Sequence, residues 1–287
     1  NIVEDLEDWD ADILLEDALE YRADAKVGET LEIDLDTMKF GRIAAQTAKH
    51  VIRQGIKDAE RGQAIKDFQS KTKDLVTAKV SRIDPVTGNV TLEIGKGTAV
   101  LPKGEQVPGE SSTEGQLIKV YISDIKETTR GPSIMISRTH SGLVRRLFEQ
   151  EVPEIYDGIV AIHSVSREAG VRTKMAVSST DENVDPIGSC IGPRGARVNS
   201  IVEVLGGEKI DIVKYSEDPA EFIGAALAPA NVLQVEIIDK DAKSCQVTVP
   251  DHQLSLAIGN KGLNAKLAAK LTGWKIDIKP ESGFYEG

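Results

Sequence analysis

The sequence predicts a multidomain α+β chain. It has an N-terminal α/β segment with a long helix, a small closed β-barrel, and two copies of a strand–helix–helix–strand unit. Three observations carry this. Residues 40–68 place apolar side chains at helical spacing, residues 75–139 switch to five short β-branched runs separated by turn signals, and residues 174–279 hold an internal repeat built around two glycine loops.

Length and composition set the frame. A chain of 287 residues implies about two domains. Aromatics make up only 4% of it, so the cores must be aliphatic. No span reaches the roughly 20 apolar residues of a membrane helix. The chain starts at Asn1 and continues acidic, without the basic–apolar–small order of a signal peptide. Cys190 and Cys245 stand alone, as in a reducing cytosol, and the four histidines are scattered. A cytoplasmic location without metal or cofactor is therefore expected.

The net charge of −11 argues against a generic electrostatic nucleic-acid binder. Its distribution matters more. Residues 1–38 carry 14 acids against 2 bases, whereas residues 39–73 carry 9 bases against 3 acids. The acidic excess is thus concentrated far from the glycine loops in sequence.

In the N-terminal segment, residues 9–24 fit a short helix or an acidic irregular surface. Residues 30–35 (Thr-Leu-Glu-Ile-Asp-Leu) alternate like a half-buried strand. Residues 40–68 read as one helix. Phe40, Ile43, Ala44, Thr47, Ala48, Val51, Ile52 and Ile56 form its apolar stripe, and Lys49, Arg53, Lys57 and Arg61 recur every four residues on another face. That basic row is either a solvated face or a docking face for an acidic partner.

Five strands are expected next, at Leu75–Asp84, Asn89–Gly95, Gly97–Leu101, Gln116–Lys126 and Ser133–Thr139. Asp84–Asn89, Pro102–Gly104 and Arg130–Pro132 supply turns between them. Five short strands in about 65 residues suggest a barrel of the OB type. Tyr121 is its single aromatic residue, too few for a base-stacking platform, while Lys79, Arg82, Lys119 and Arg138 could guide a nucleic-acid backbone. Residues 141–151 look helical, stop at Pro153, and fit a connector to the C-terminal half.

The repeat is the strongest signal. Ile191-Gly192-Pro193-Arg194-Gly195 returns as Ile258-Gly259-Asn260-Lys261-Gly262, 67 residues later. Downstream, Leu205–Ile212 aligns with Leu271–Ile278, and six of the eight pairs are identical. The first copy is read as strand Lys174–Ser179, helix Asp185–Ile191, helix Ala196–Leu205 and strand Lys209–Tyr215. The second is read as Ser244–Pro250, Asp251–Ile258, Leu263–Leu271 and Trp274–Lys279.

A Gly-x-x-Gly loop that opens a helix suits a nucleic-acid backbone. Glycine allows close approach, and the free N–H groups of the helix start favour phosphate. Arg194 and Lys261 lie inside the loops, and Arg197 and Lys266 lie just after them. With Gly192, Pro193, Gly195, Gly259, Asn260 and Gly262, and with Lys174 at the start of the preceding strand and Arg172 just before it, they form the expected RNA-binding set. Such loops are the mark of KH domains, which take single strands whose base edges are unpaired. Pro193 lacks the N–H that Asn260 offers, so unequal contributions are expected. A shallow salt dependence, from about two to four phosphates, should follow. Aspartate at both Gly192 and Gly259 is expected to abolish RNA binding while leaving the fold intact.

Beyond the loops, three runs give the chain a family resemblance. They are Phe40–Lys49 (FGRIAAQTAK), Glu151–Ile155 (EVPEI) and Arg167–Lys174 (REAGVRTK). The long run Val184–Val198 (VDPIGSCIGPRGARV) goes with them. Together they resemble the bacterial NusA family of transcription termination/antitermination factors, over nearly the whole chain. The resemblance implies a polymerase-binding N-terminal domain at 1–73, an S1 domain of OB type at 74–144, and KH domains at 145–215 (with the connector helix) and 216–287. Family members begin before the position of Asn1, so the first domain is expected to be truncated at its start. Some members end in acidic repeats, which this sequence lacks, so RNA binding is not expected to be autoinhibited by them.

The resemblance further implies a monomeric, non-enzymatic elongation factor. It would bind RNA polymerase near the RNA exit channel, through the elements that include Lys49, Arg53, Lys57 and Arg61. It would also bind nascent single-stranded RNA and modulate pausing, termination and antitermination, with other Nus factors as further candidate partners. Two alternatives remain: an RNA-processing nuclease or accessory subunit using S1 and KH domains, and a protein-binding scaffold with degenerate repeats. Against the first, the barrel precedes both repeats, and no phosphate-binding loop or nucleophile elbow is present.

Overall fold

The computed structural model describes residues 1–4, 11–33, 45–56, 71–95, 97–128 and 131–283. They belong to two compact units, Asn1–Glu60 and Arg61–Gly287.

In the first unit, β1 (Ile2–Val3) pairs in parallel with β2 (Ile13–Leu14), which runs into α1 (Leu15–Tyr21). Ile2, Ala18 and Ala25 form its small core, with Leu31 packed against them. Residues 30–33 are not a strand. β1 spends its backbone on Gly28 and Glu29, at 2.8 and 2.9 Å, so alternation in the sequence finds no edge to pair with. Residues 45–56 form α2. Its side chains, including Lys49, Arg53, Val51, Ile52 and Ile56, are exposed. Lys57 and Arg61 lie outside the described residues, as does the rest of the expected long helix.

The second unit begins with the barrel. β3 (Leu75–Ile83), β4 (Val90–Ile94), β5 (Gly97–Leu101), β6 (Leu117–Thr128) and β7 (Gly131–Ser137) close in the order β3-β4-β5-β7-β6. The closure is a parallel contact at Val100 and Met135. Alternate residues point inward and fill the interior with Ala78, Val80, Leu92, Leu101, Val120, Ile122 and Ile136.

Each repeat is larger than a strand–helix–helix–strand core. The first runs α3 (Ser141–Glu151), α4 (Pro153–Tyr156), β8 (Val160–Glu168), β9 (Arg172–Ser179), α5 (Pro186–Ile191), α6 (Ala196–Val204) and β10 (Lys209–Lys214). The second runs α7 (Pro219–Ala226), β11 (Gln234–Asp239), β12 (Ser244–Val249), α8 (Leu254–Ile258), α9 (Leu263–Thr272) and β13 (Lys275–Pro280). The sheets share one plan, in which β9 and β12 are central, antiparallel to β8 and β11 and parallel to β10 and β13.

The leading helix adds packing to the connector reading. Leu143, Val144, Leu147 and Phe148 of α3 sit in the same core as Met175, Val177 and Ile201. Leu75 and Tyr121 of the barrel belong to that core too, so the helix joins barrel and repeat, and a boundary between 144 and 145 falls inside it. The strand β8 is hard to read because a bulge between Ile162 and Ser164 breaks its alternation.

The central strand β9 is covered on both faces. Met175 and Val177 point to the helices of their own repeat. Ala176 and Val213 point the other way, into the core that Phe222, Ile223, Ala226 and Leu227 form in the second repeat. The second repeat thus stacks its helices on the back of the first sheet.

Candidate nucleic-acid interface

The two loops adopt one backbone despite different sequences. Gly192 and Gly259 have φ/ψ of 74/173° and 78/169°. Arg194 and Lys261 are left-handed at 53/26° and 53/30°, and Gly195 and Gly262 follow at 77/12° and 73/14°. The first of these conformations is essentially restricted to glycine, whereas the last tolerates asparagine or aspartate.

Space reinforces the difference. A Cβ on Gly192 would lie 2.6 Å from Cγ of Arg197, and one on Gly259 would lie 2.7 Å from the backbone N of Asn264. A Cβ on Gly262 would meet nothing within 4 Å. Aspartate at Gly192 or Gly259 would therefore disturb the loop, contrary to the expectation that it leaves the fold intact.

The helices that follow start directly on the loop turns, so their first N–H groups, at Ala196 and Leu263, donate to the carbonyls of Pro193 and Asn260. Neither α6 nor α9 has a side-chain cap, whereas Asp185 caps α5 and Asp218 caps α7. The N–H groups beyond these, fronted by glycine, can donate to an anion. Pro193, Arg194, Asn260 and Lys261 are exposed beside them. Among the described residues, no acid pairs with Arg194 or Lys261. Lys266 is also exposed and reaches only Glu168, at 3.5 Å.

Other basic residues assigned to RNA are paired within the fold. Arg197 donates to Glu154 at 2.9 Å and to the carbonyl of Ser189 at 2.6 Å, so it ties α6 to α4 and closes α5. The carboxyl of Glu154 lies below the usual range, first through its own backbone N–H and then through Arg197. Asn264, at the equivalent place, donates to the carbonyls of Leu227 and Ala257 at 3.1 and 2.9 Å. The sequence reading missed Asn264, although its position matches that of Arg197 in the repeat.

Lys174 is fully buried and corrects its assignment most clearly. Its Nζ donates to Asp211 at 3.0 Å and to the carbonyl of Ala228 at 2.6 Å. Arg172 grips the same carboxylate through two hydrogen bonds, at 2.7 and 2.9 Å. An ammonium with no water-accessible surface cannot meet a phosphate.

The barrel has the same character at its junction with the first repeat. Arg138 is buried against Glu110 and donates to the carbonyl of Val204 at the end of α6, so it guides no RNA. Arg167 is paired with the fully buried Glu208, which also accepts from Gly170 N and Thr173. Tyr121 is buried and stacked on His140, with ring centroids 4.7 Å apart. Lys79 and Arg82 are exposed, and Lys119 is half-buried.

No group of three or more His, Cys, Asp or Glu among the described residues could hold a metal ion. Burial pushes the Cys190 thiol to about 12 and the Cys245 thiol to about 11, so neither is a nucleophile at neutral pH.

Comparison with known proteins agrees with this architecture. Residues 1–62 match the NusA N-terminal domain, residues 138–215 the NusA-like first KH domain, and residues 219–286 the NusA-like second KH domain. The chain is 50% identical over 282 residues to the transcription termination/antitermination protein NusA of Bacillus subtilis, covering 98% of this chain and 75% of that protein. It is 50% identical over 281 residues to the Halalkalibacterium halodurans protein of the same name, covering 98% and 73%. With the Thermus thermophilus protein it shares 43% identity over 278 residues, covering 97% and 71%.

Proposed function

The chain belongs to the NusA family of transcription termination/antitermination proteins, and from that premise we propose how its parts divide the work. The two KH repeats hold nascent single-stranded RNA. The uncapped starts of α6 and α9 and the side chains of Arg194, Lys261 and Lys266 take its phosphates. Pro193 and Asn260 line the two approaches. The N-terminal unit engages RNA polymerase, with Lys49 and Arg53 on its exposed helix and Lys57 and Arg61 continuing that row in sequence. The protein works by binding rather than by catalysis, changing how long polymerase pauses and whether it terminates.

The observation that carries the RNA assignment is the pair of glycine-fronted, uncapped helix starts beside unpaired basic side chains. This reading also narrows the RNA-contacting set, since Arg172, Lys174, Arg197 and Arg138 are engaged elsewhere. The barrel has no exposed aromatic platform among its described residues, so its part is to hold the first KH repeat in place.

A pause-duration assay with purified polymerase tests the proposal. The protein should change pause lifetimes, and the double variant Arg194→Ala/Lys261→Ala should lose the RNA-dependent part of that change. If the unaltered protein leaves pausing and termination untouched, the polymerase role is wrong.

A further inference from the structure

The seam between the KH repeats carries a polar cluster that RNA binding does not use. Lys174 and Arg172 of β9 converge on Asp211 of β10, on the face of the first sheet that receives the second repeat. Burial pushes the Asp211 carboxyl upward, yet the hydrogen bond from Arg172 and the charge of Lys174 hold it below its ordinary value. Lys174 then crosses the seam to the carbonyl of Ala228. The neighbouring carbonyl, that of Leu227, accepts from Asn264, and the backbone of Asn264 lies against Gly259 of the second loop. A short run of contacts therefore links the first sheet to the second loop.

The second repeat carries different residues at the equivalent places. From the strand register, Gln246 and Asp277 stand where Lys174 and Asp211 stand in the first. Thr248 and Lys279 replace Ala176 and Val213. This face is polar, with Gln246 donating to Asp277 at 3.2 Å and Lys279 to Gln246 at 2.6 Å. Among the described residues, the buried ammonium lies in the sheet that receives the second repeat on its back.

We propose that Arg172, Asp211 and Lys174 are positioning residues that fix the second loop relative to the first, so that both grip one RNA strand together. The proposal rests on the RNA reading above and adds residues that act on RNA binding without touching RNA. Apolar contacts from Ala176 and Val213 hold the seam, and the directional bonds of Lys174 select one arrangement of it. Two sites held at a fixed separation gain affinity for a ligand that reaches both, and lose that gain when the separation varies.

The test uses the full chain with Lys174→Met, which keeps the length of the stem and leaves Asp211 paired with Arg172. Two RNAs are titrated, one of about four nucleotides that occupies a single loop and one long enough to reach both. Nitroxide labels at Asn199→Cys and Lys270→Cys, both exposed and outside the loops, report the distance between α6 and α9 without RNA. The unaltered protein should prefer the long RNA by at least about tenfold. Lys174→Met should keep its short-RNA affinity within about twofold, lose most of that preference, and broaden the distance distribution.

An equal loss on both RNAs with an unchanged distribution would mean that Lys174 contacts RNA, and would overturn the proposal. So would unchanged affinities with an unchanged distribution. If Lys174→Met does not fold, Arg172→Gln, at a half-buried position, must show the same split in smaller degree; an undisturbed preference and distribution there would also overturn it. If the unaltered protein binds neither RNA, the RNA reading fails, while the distance measurement still decides whether the cluster positions the loops.

Discussion

The two KH repeats share a fold and a loop backbone but differ in their surroundings. The first is interior, with the barrel at one side and the second repeat on the back of its sheet. Its charged residues face inward on both sides, with Glu208 meeting Arg167 near the barrel and Asp211 meeting Lys174 at the seam. In the second repeat the aligned positions are Trp274 and an exposed Asp277. Position in the array, rather than the fold of the repeat, decides whether a charge is a solvated side chain or a structural bond.

The largest expected effect tests that contrast at aligned aspartates. Asp211→Ala leaves a buried ammonium without its carboxylate and should cost about 3–5 kcal/mol of stability in denaturant unfolding. Asp277→Ala should change it by no more than about 0.5 kcal/mol. Equal effects would erase the distinction between the repeats.

The loops offer the next comparison. Gly259→Ala places a methyl group against the backbone of Asn264 in a conformation reserved for glycine, and should cost about 3 kcal/mol. Gly192→Ala meets a side-chain stem that can shift, and should cost about 1–3 kcal/mol. Gly262→Asn, left-handed and in open space, should stay within about 1 kcal/mol. Thermal unfolding of the three variants would rank them, and a costly Gly262→Asn would contradict the geometry.

Acid titration sharpens the seam. The carboxyl of Asp211 lies below its ordinary 3.8 in the folded chain. Its contribution is therefore complete above that value and is lost as pH falls through the lower folded one. Lys174 is shifted downward by burial, so its charge opposes folding until pH rises through its folded value. Asp211→Asn should flatten the acid limb of a stability–pH profile below about pH 4. A limb as steep as in the unaltered protein would place the titrating group elsewhere.

The smallest effects concern RNA alone. Arg194→Ala or Lys261→Ala should leave stability within about 0.5 kcal/mol. Each should reduce the salt slope of single-strand binding by about 0.7, the value for one phosphate contact. A larger drop for one variant would show that the loops are unequal in solution despite their common backbone.

Local chemistry and internal repetition made much of this legible in advance. The glycine loops announced themselves because their conformation depends on residues only a few positions apart, and because the sequence states it twice. The five barrel strands were legible from β-branched runs cut by turns. A strand at 30–35 was not borne out in its described part, since pairing requires an edge that local alternation cannot supply. The packing partners of α3 were not legible, because an amphipathic stripe tells that a helix packs but not against what.

The family, the loops and their exposed charges were thus determined by the sequence itself. Only the tertiary structure decided which basic residues are free. Arg172, Lys174, Arg138 and Arg197 look like any other surface cations in a linear reading. Alternation along β9 separates its two faces, but whether the second face meets water or another repeat is set by packing between segments some fifty residues apart, as between Lys174 and Ala228. Burial is a property of the assembled layers, and a buried charge must find its partner there.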